Sequence, residues 1–185
     1  NKENFSMNTL TKSEEDDIIN DILLLNSMTE VTNNWLKKIK KIAYSKENIG
    51  TVVPLINDSS IFTNLEYNEY IKINNLDEYS KLIENTSIRL YPEISISIGS
   101  CMYIKRNVID DIGLFQYESY PKEYLKKNIF YLDLKEKNYI NVLCDDTFIY
   151  KDNNNVKSSD GELYCYNINN NFKVPQQFLS IKENI

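Results

Sequence analysis

The chain has 185 residues, of which 42% are hydrophobic, 26% charged and 12% aromatic, and a chain of this size hides roughly 70% of its unfolded surface, so it can form a core without staples. It contains no histidine, which excludes Ser-His-Asp and Cys-His catalysis, imidazole metal sites and histidine pH switching. A net charge of -6 with no basic block argues against nucleic acid or an anionic membrane as partner.

Cys101, Cys144 and Cys165 are odd in number and widely spaced. They form neither a CxxC pair nor a disulfide framework, the pattern of three reduced thiols, and we expect a cytoplasmic protein. Ile94 to Ile104 is the longest mainly apolar run, too short and too polar for a bilayer span of about 20 apolar residues. No signal peptide is visible, and the chain opens on Asn1 rather than Met, as expected of a processed or trimmed segment.

In chain order, Ser13 to Asp17 is charged and precedes a short helix or loop ending at Asn20-Asp21. Ile22 to Leu25 is a continuous apolar run that suits a buried parallel strand. Thr32-Asn33-Asn34 offers helix caps before Trp35-Leu36, Ile39 and Ile42-Ala43, with lysines on the opposite face. Thr51 to Leu55 reads as a second buried strand ended by Pro54. Strand, helix and strand in this space predict a βαβ unit in a parallel sheet. A helix is expected over Leu76 to Ile83, and Ile94 to Ile98 alternates as a half-buried strand should, with Cys101 to Ile104 continuing it. Asn107 to Ile112 predicts a short helix ended by Gly113. Lys122 to Lys137 predicts another, with Leu125, Ile129, Leu132 and Leu134 inward. Ile140 to Leu143 and Thr147 to Tyr150 read as two short strands, followed by a polar stretch and a C-terminal helix from Glu162.

Several strings in this order resemble one family. Leu23-Leu24-Leu25-Asn26-Ser27-Met28-Thr29-Glu30-Val31-Thr32-Asn33-Asn34-Trp35-Leu36 is similar to the "LLNSDTEVTPNWL" segment of family 2 inverting glycosyltransferases with the type A fold. The likeness continues through Ile49 to Asn57. It resumes at Gly99-Ser100-Cys101-Met102-Tyr103-Ile104-Lys105-Arg106 and at Ile112-Gly113-Leu114-Phe115. Asn128, Phe130, Leu132, Lys135-Glu136-Lys137 and Tyr139 fall where the family has "EENDFCLRAKEKGY", and Asp145 to Tyr150 where it has "DDTFVY". The resemblance spans Asn20 to Lys151. Asn4-Phe5-Ser6 and Asn8 are similar to the family's "GFSxxxN" piece, which implies that the first strands and helix of the family domain, which hold the nucleotide base, are not in this chain.

The resemblance implies a three-layer α/β/α nucleotide-diphospho-sugar transferase-like domain with a mainly parallel sheet, incomplete at its N-terminal side. Residues 1–185 would form one domain, with a core over about 20–151 and a C-terminal extension over 152–185. Such a transferase uses a carboxylate-held divalent cation to screen the leaving diphosphate and a carboxylate base to deprotonate the acceptor hydroxyl. A histidine often completes the site. Here the metal carboxylate is Met28, a poor ligand for Mg²⁺ or Mn²⁺. The family's acid and base positions carry Lys126, Lys127, Asn128 and Ile129, the terminal histidine is Lys151, and the family arginine is Asp133. No metal is expected, and Mg²⁺ or Mn²⁺ only if the site is active. The substrate-binding candidates that the resemblance leaves are Asn26, Met28, Gly99, Ser100, Asn128 and Lys151.

Plainer readings stand beside these. Lys126, Lys127 and Lys151 could hold a diphosphate directly, but a solvated helix face and a loop lysine are the favoured reading. Asp145-Asp146 fits a turn better than a metal pair, since neighbours on a strand point to opposite faces. Met28 suits packing, Trp35 a core anchor, Cys101 a buried thiol, and Glu30 an ordinary loop residue. Three functions follow: a non-catalytic glycosyltransferase-like remnant in glycan biosynthesis that binds a nucleotide-sugar or glycan; an active glycosyltransferase passing a sugar from a nucleotide-sugar donor to a glycan or lipid-linked acceptor; or a protein-interaction scaffold. An N-terminally incomplete sheet would leave an open edge, which points to a homodimer or larger assembly with its contact in the region around Asn1 to Leu25, unless Asn1 to Asp21 folds back over the gap.

Overall fold

A computed structural model describes residues 20–57, 75–95, 100–113, 123–151 and 163–168. The elements are β1 (Asp21–Asn26), β2 (Thr29–Glu30), α1 (Trp35–Ala43), β3 (Ile49–Ile56), α2 (Leu76–Thr86), β4 (Cys101–Ile104), α3 (Arg106–Ile112), α4 (Glu123–Glu136), β5 (Ile140–Lys151) and β6 (Leu163–Ile168). They form a mixed α/β domain around a six-stranded sheet of order β2-β5-β3-β4-β1-β6.

The alternation of β1 assigns its two faces. Leu23 and Leu25 pack with Trp35, Ile39, Ile42 and Ala43 of α1. Ile22 and Leu24 pack with Val108 and Ile109 of α3 and with Phe130 and Leu134 of α4. Successive strand side chains point to opposite faces, so one continuous apolar run serves two helical layers. Trp35 is buried in the first of these cores, the anchor role its position predicted.

The sheet is not mainly parallel. Among the described strands only β3 and β5 pair in parallel, whereas β1–β4, β1–β6, β3–β4 and β2–β5 are antiparallel. β1 and β3 do run in the same direction, as two strands of a βαβ unit should, but β4 lies between them. All four residues of β4 are buried. A strand with no solvent-facing residue needs neighbours on both edges and cover on both faces, and the slot between β1 and β3 supplies them.

Other boundaries differ for identifiable reasons. Pro54 lies inside β3 rather than at its end. The ladder to β5 is irregular there, with Pro54 opposite Cys144 and Leu55 opposite Phe148, and a residue without an N–H is tolerated at such a bulge. The expected pair of short strands is therefore the single strand β5, and Asp145-Asp146 lie in its bulge instead of a turn. Leu163–Ile168, expected as helix, is a strand covering the outer edge of β1. β1 thus has partners on both sides, and its edge is not open; residues 1–19, the rest of the expected contact region, lie outside the described residues. On α4, Phe130 and Leu134 are buried one turn apart, while Leu132, two residues from each, is 60% exposed; Leu125 and Ile129 fall where only the helix backbone is described. Asn34, the residue before α1, is left-handed with φ 60° and makes no side-chain cap. Instead the Asn75 side chain caps α2, accepting from the Glu78 N–H at 2.9 Å. The strand expected over Ile94 to Ile98 lies largely outside the described residues, as do Ser13 to Asp17 and most of 152–185. No helix among the described residues is long and apolar enough to cross a membrane.

Candidate functional site

β1, β3 and β5 point the same way, so their C-terminal ends gather along one end of the sheet, where antiparallel β4 begins. Open α/β sheets hold ligands at such strand ends. The Asn26 N–H closes β1 onto Ser100, donating to its carbonyl at 2.8 Å. The Asn26 side-chain Oδ1 accepts the Met28 N–H at 2.9 Å, an Asx turn that reverses the chain into β2. β2 then pairs with the end of β5, Thr29 opposite Lys151 and Glu30 opposite Tyr150. Asn57, just past β3, extends that ladder with its side chain. Its Oδ1 accepts the Lys151 N–H at 2.6 Å and its Nδ2 donates to the Lys151 carbonyl at 2.9 Å. Thr32 donates to the Phe148 carbonyl at 3.0 Å and accepts from Ser80 of α2 at 3.1 Å, which ties the loop after β2 to both β5 and α2.

Asn26, Met28, Ser100 and Lys151 are therefore brought to one end of the sheet. Met28 is half-buried in the turn two residues beyond β1. Ser100 is buried and Lys151 partly so. Gly99 lies outside the described residues. Lys126, Lys127, Asn128 and Ile129 lie on the N-terminal half of α4, which connects to the start of β5 through 137–139. Among the described residues no group of three His, Cys, Asp or Glu side chains could hold a metal ion. Asn57 is the positioning residue that sequence reasoning did not single out; an asparagine directly after an apolar strand was the available signal.

Two further polar clusters were not legible in the sequence. At the opposite end of the sheet, buried Asp21 accepts hydrogen bonds from Tyr44 Oη at 2.7 Å, from Tyr103 Oη and from the Arg106 N–H at 2.9 Å. Burial, reinforced by Asp21, pushes the Tyr103 and Tyr44 phenols well above the usual tyrosine range. Lys105 beside them donates to the Glu47 carbonyl at 2.9 Å and stands 5.4 Å from the Tyr44 ring centre. Burial pulls its ammonium below the usual lysine range, with Asp21 and Glu47 opposing that shift.

The second cluster surrounds the β5 bulge. Asp145 accepts the Leu90 and Tyr91 N–H groups at 3.1 and 3.4 Å. Asp146 accepts the Tyr91 hydroxyl at 3.1 Å and pairs with Arg89 at 3.3 Å. Cys101 and Cys144 are buried free thiols. Burial pushes both up, Cys144 to about 12, so neither is a thiolate nucleophile in this state.

No family model and no curated protein sequence matches this chain.

Proposed function

We propose that the chain is a glycosyltransferase-like domain of the type A kind whose metal and base positions are eroded, and that it binds a nucleotide-sugar or glycan without transferring the sugar. The observation that carries this reading is the convergence of Asn26, Met28, Ser100 and Lys151 at the C-terminal ends of β1, β3 and β5. These are four of the positions that the family resemblance leaves as substrate-binding candidates, and they come together although they are spread over most of the chain. The chemistry at that end supports a binding role. Met28 offers a thioether where a divalent ion needs oxygen, and half-buried Asn26 and Lys151 place an amide and an ammonium at that end, groups that suit sugar hydroxyls and phosphate oxygens.

The test is calorimetry with uridine and guanosine diphospho-sugars, with and without Mn²⁺, beside a glycan array and a donor-hydrolysis assay. The expected result is weak, Mn²⁺-independent binding of a nucleotide-sugar or glycan, reduced by Asn26→Ala, with no donor hydrolysis. Mn²⁺-dependent turnover would make the protein an active transferase. Absence of any sugar or nucleotide binding would leave a protein-interaction scaffold.

A further inference from the structure

The segment 87–95 leaves α2 and runs along the side of β5 that faces away from β3. It makes a short antiparallel contact there: Glu93 pairs with Val142, the Ile94 N–H donates to the Asn141 carbonyl at 2.9 Å, and the Leu143 N–H donates to the Pro92 carbonyl at 2.9 Å. Two of its residues, Arg89 with φ 55° and Tyr91 with φ 46°, are left-handed. Neither is Gly, Asn or Asp, so each holds its Cβ in a crowded position that surrounding contacts must offset.

Among the described residues those contacts are mainly polar. Asp145 receives the Leu90 and Tyr91 N–H groups. Asp146 receives the Tyr91 hydroxyl and the Arg89 guanidinium. Arg89 also donates to the Glu84 carbonyl at 3.0 Å, and its N–H donates to Ser87 Oγ at 3.0 Å. Ile88 and Leu90 are 76% and 70% exposed and add little apolar burial. Tyr91 alone of these packs inward, against the buried cluster that contains Cys144. A strained edge segment with few buried apolar contacts belongs to the low-stability end of a fold.

We infer that 87–95 is a strap that opens as a unit while the sheet stays folded, and that it gates Cys144. With the strap closed, Cys144 is fully buried and its Sγ lies 3.2 Å from both the Asp146 carboxylate and the Thr147 hydroxyl. Opening lifts the Tyr91 ring from the cluster, frees Asp146 from Arg89 and Tyr91, and bares the edge of β5 at Asn141 to Leu143. Cys144 then meets electrophiles and oxidants that cannot reach it in the closed state. Cys101, in β4 between β1 and β3, is buried and has no such gate among the described residues.

The test is N-ethylmaleimide labelling of the full chain under native conditions, with each thiol followed by peptide mass spectrometry. Hydrogen bonds to a charged carboxylate are the strongest contacts holding the strap, so Asp145→Ala is expected to speed Cys144 labelling roughly tenfold or more while leaving Cys101 unchanged. In the unaltered protein Cys144 is expected to react well ahead of Cys101. Equal rates for the two thiols would show that both are reached only by global unfolding and would overturn the inference, as would an Asp145→Ala variant with an unchanged Cys144 rate. If that variant does not fold, hydrogen exchange of the unaltered protein decides. The Tyr91 and Ile94 amides must exchange faster than those of Leu23 to Leu25; simultaneous exchange of both sets refutes the strap.

Discussion

Gly50 lies in β3 at an irregularity of its ladder to β5, has no positive φ and is buried, and its missing side chain faces the packing of α3, α4 and the residue before β5. A Cβ placed there would meet Tyr139 Cβ at 2.9 Å, Val108 Cγ2 at 2.9 Å and Leu134 Cδ2 at 3.2 Å. The leucine methyl can rotate away. Tyr139 Cβ is fixed to its own backbone, and Val108 is stiff because it is β-branched and helical. Overpacking of this kind costs about 1–3 kcal/mol, and replacing glycine returns about 0.4–1 kcal/mol by restricting the unfolded chain. Gly50→Ala is therefore expected to destabilise by about 1–2 kcal/mol, a fall of about 3–6 °C in Tm for a chain of this length. Calorimetric or circular-dichroism melting measures it. A double-mutant cycle with Val108→Ala identifies the cause. Removing the valine methyls makes room, so the pair should couple favourably by at least about 0.5 kcal/mol. An unchanged or raised Tm for Gly50→Ala, or strict additivity in the cycle, refutes the steric reasoning.

Ile39 is fully buried between α1 and the sheet, and Ile39→Ala is expected to cost about 2–5 kcal/mol, read as a lower urea midpoint. Asn57→Ala strips both side-chain bonds from the Lys151 peptide and is expected to cost about 1–3 kcal/mol, with the Lys151 amide exchanging faster while the Leu24 amide, in a strand paired on both sides, keeps its protection. The hydrogen bond to Asp111 and partial burial push the Tyr139 phenol from its ordinary 10.0 up to about 12. The folded state then holds a proton that the unfolded chain releases, so this contribution is complete below pH 10, declines between about pH 10 and 12, and is gone above. Urea midpoints are expected to fall over that alkaline window, and less steeply in Tyr139→Phe.

Elements that depend on neighbours in sequence were legible. β1, α1, α2, β4 and α3 lie close to where their apolar spacing puts them, because period and local breakers act within a few residues. Gly113 ends α3 with φ 79°, a conformation that glycine alone adopts freely. The strap between α2 and β4 was not legible, since its left-handed residues, Arg89 and Tyr91, carry no local signal and depend on carboxylates more than 50 residues away. Nor was the single strand β5, where two adjacent aspartates suggested a turn; their charges are instead absorbed by Arg89 and by N–H groups outside the sheet. β6 begins just after a glutamate that suggested a helix, yet its backbone pairs along the outer edge of β1, from Asp21 opposite Ile168 to Asn26 opposite Leu163.

For the site, the sequence alone determined which residue types are present: no histidine anywhere, a thioether at 28, amides at 26, 57 and 128, and an ammonium at 151. It also determined that β1 would bury both faces, because an uninterrupted apolar run has no side to offer water. Only the tertiary structure decided strand order and polar pairing. Whether β4 or β3 lies beside β1, and whether Asp21 finds Tyr44 at a separation of 23 residues and Tyr103 at 82, depends on a choice among pairings with similar local energies. That choice is made by the collective burial of the sheet between its helices, which no single segment carries.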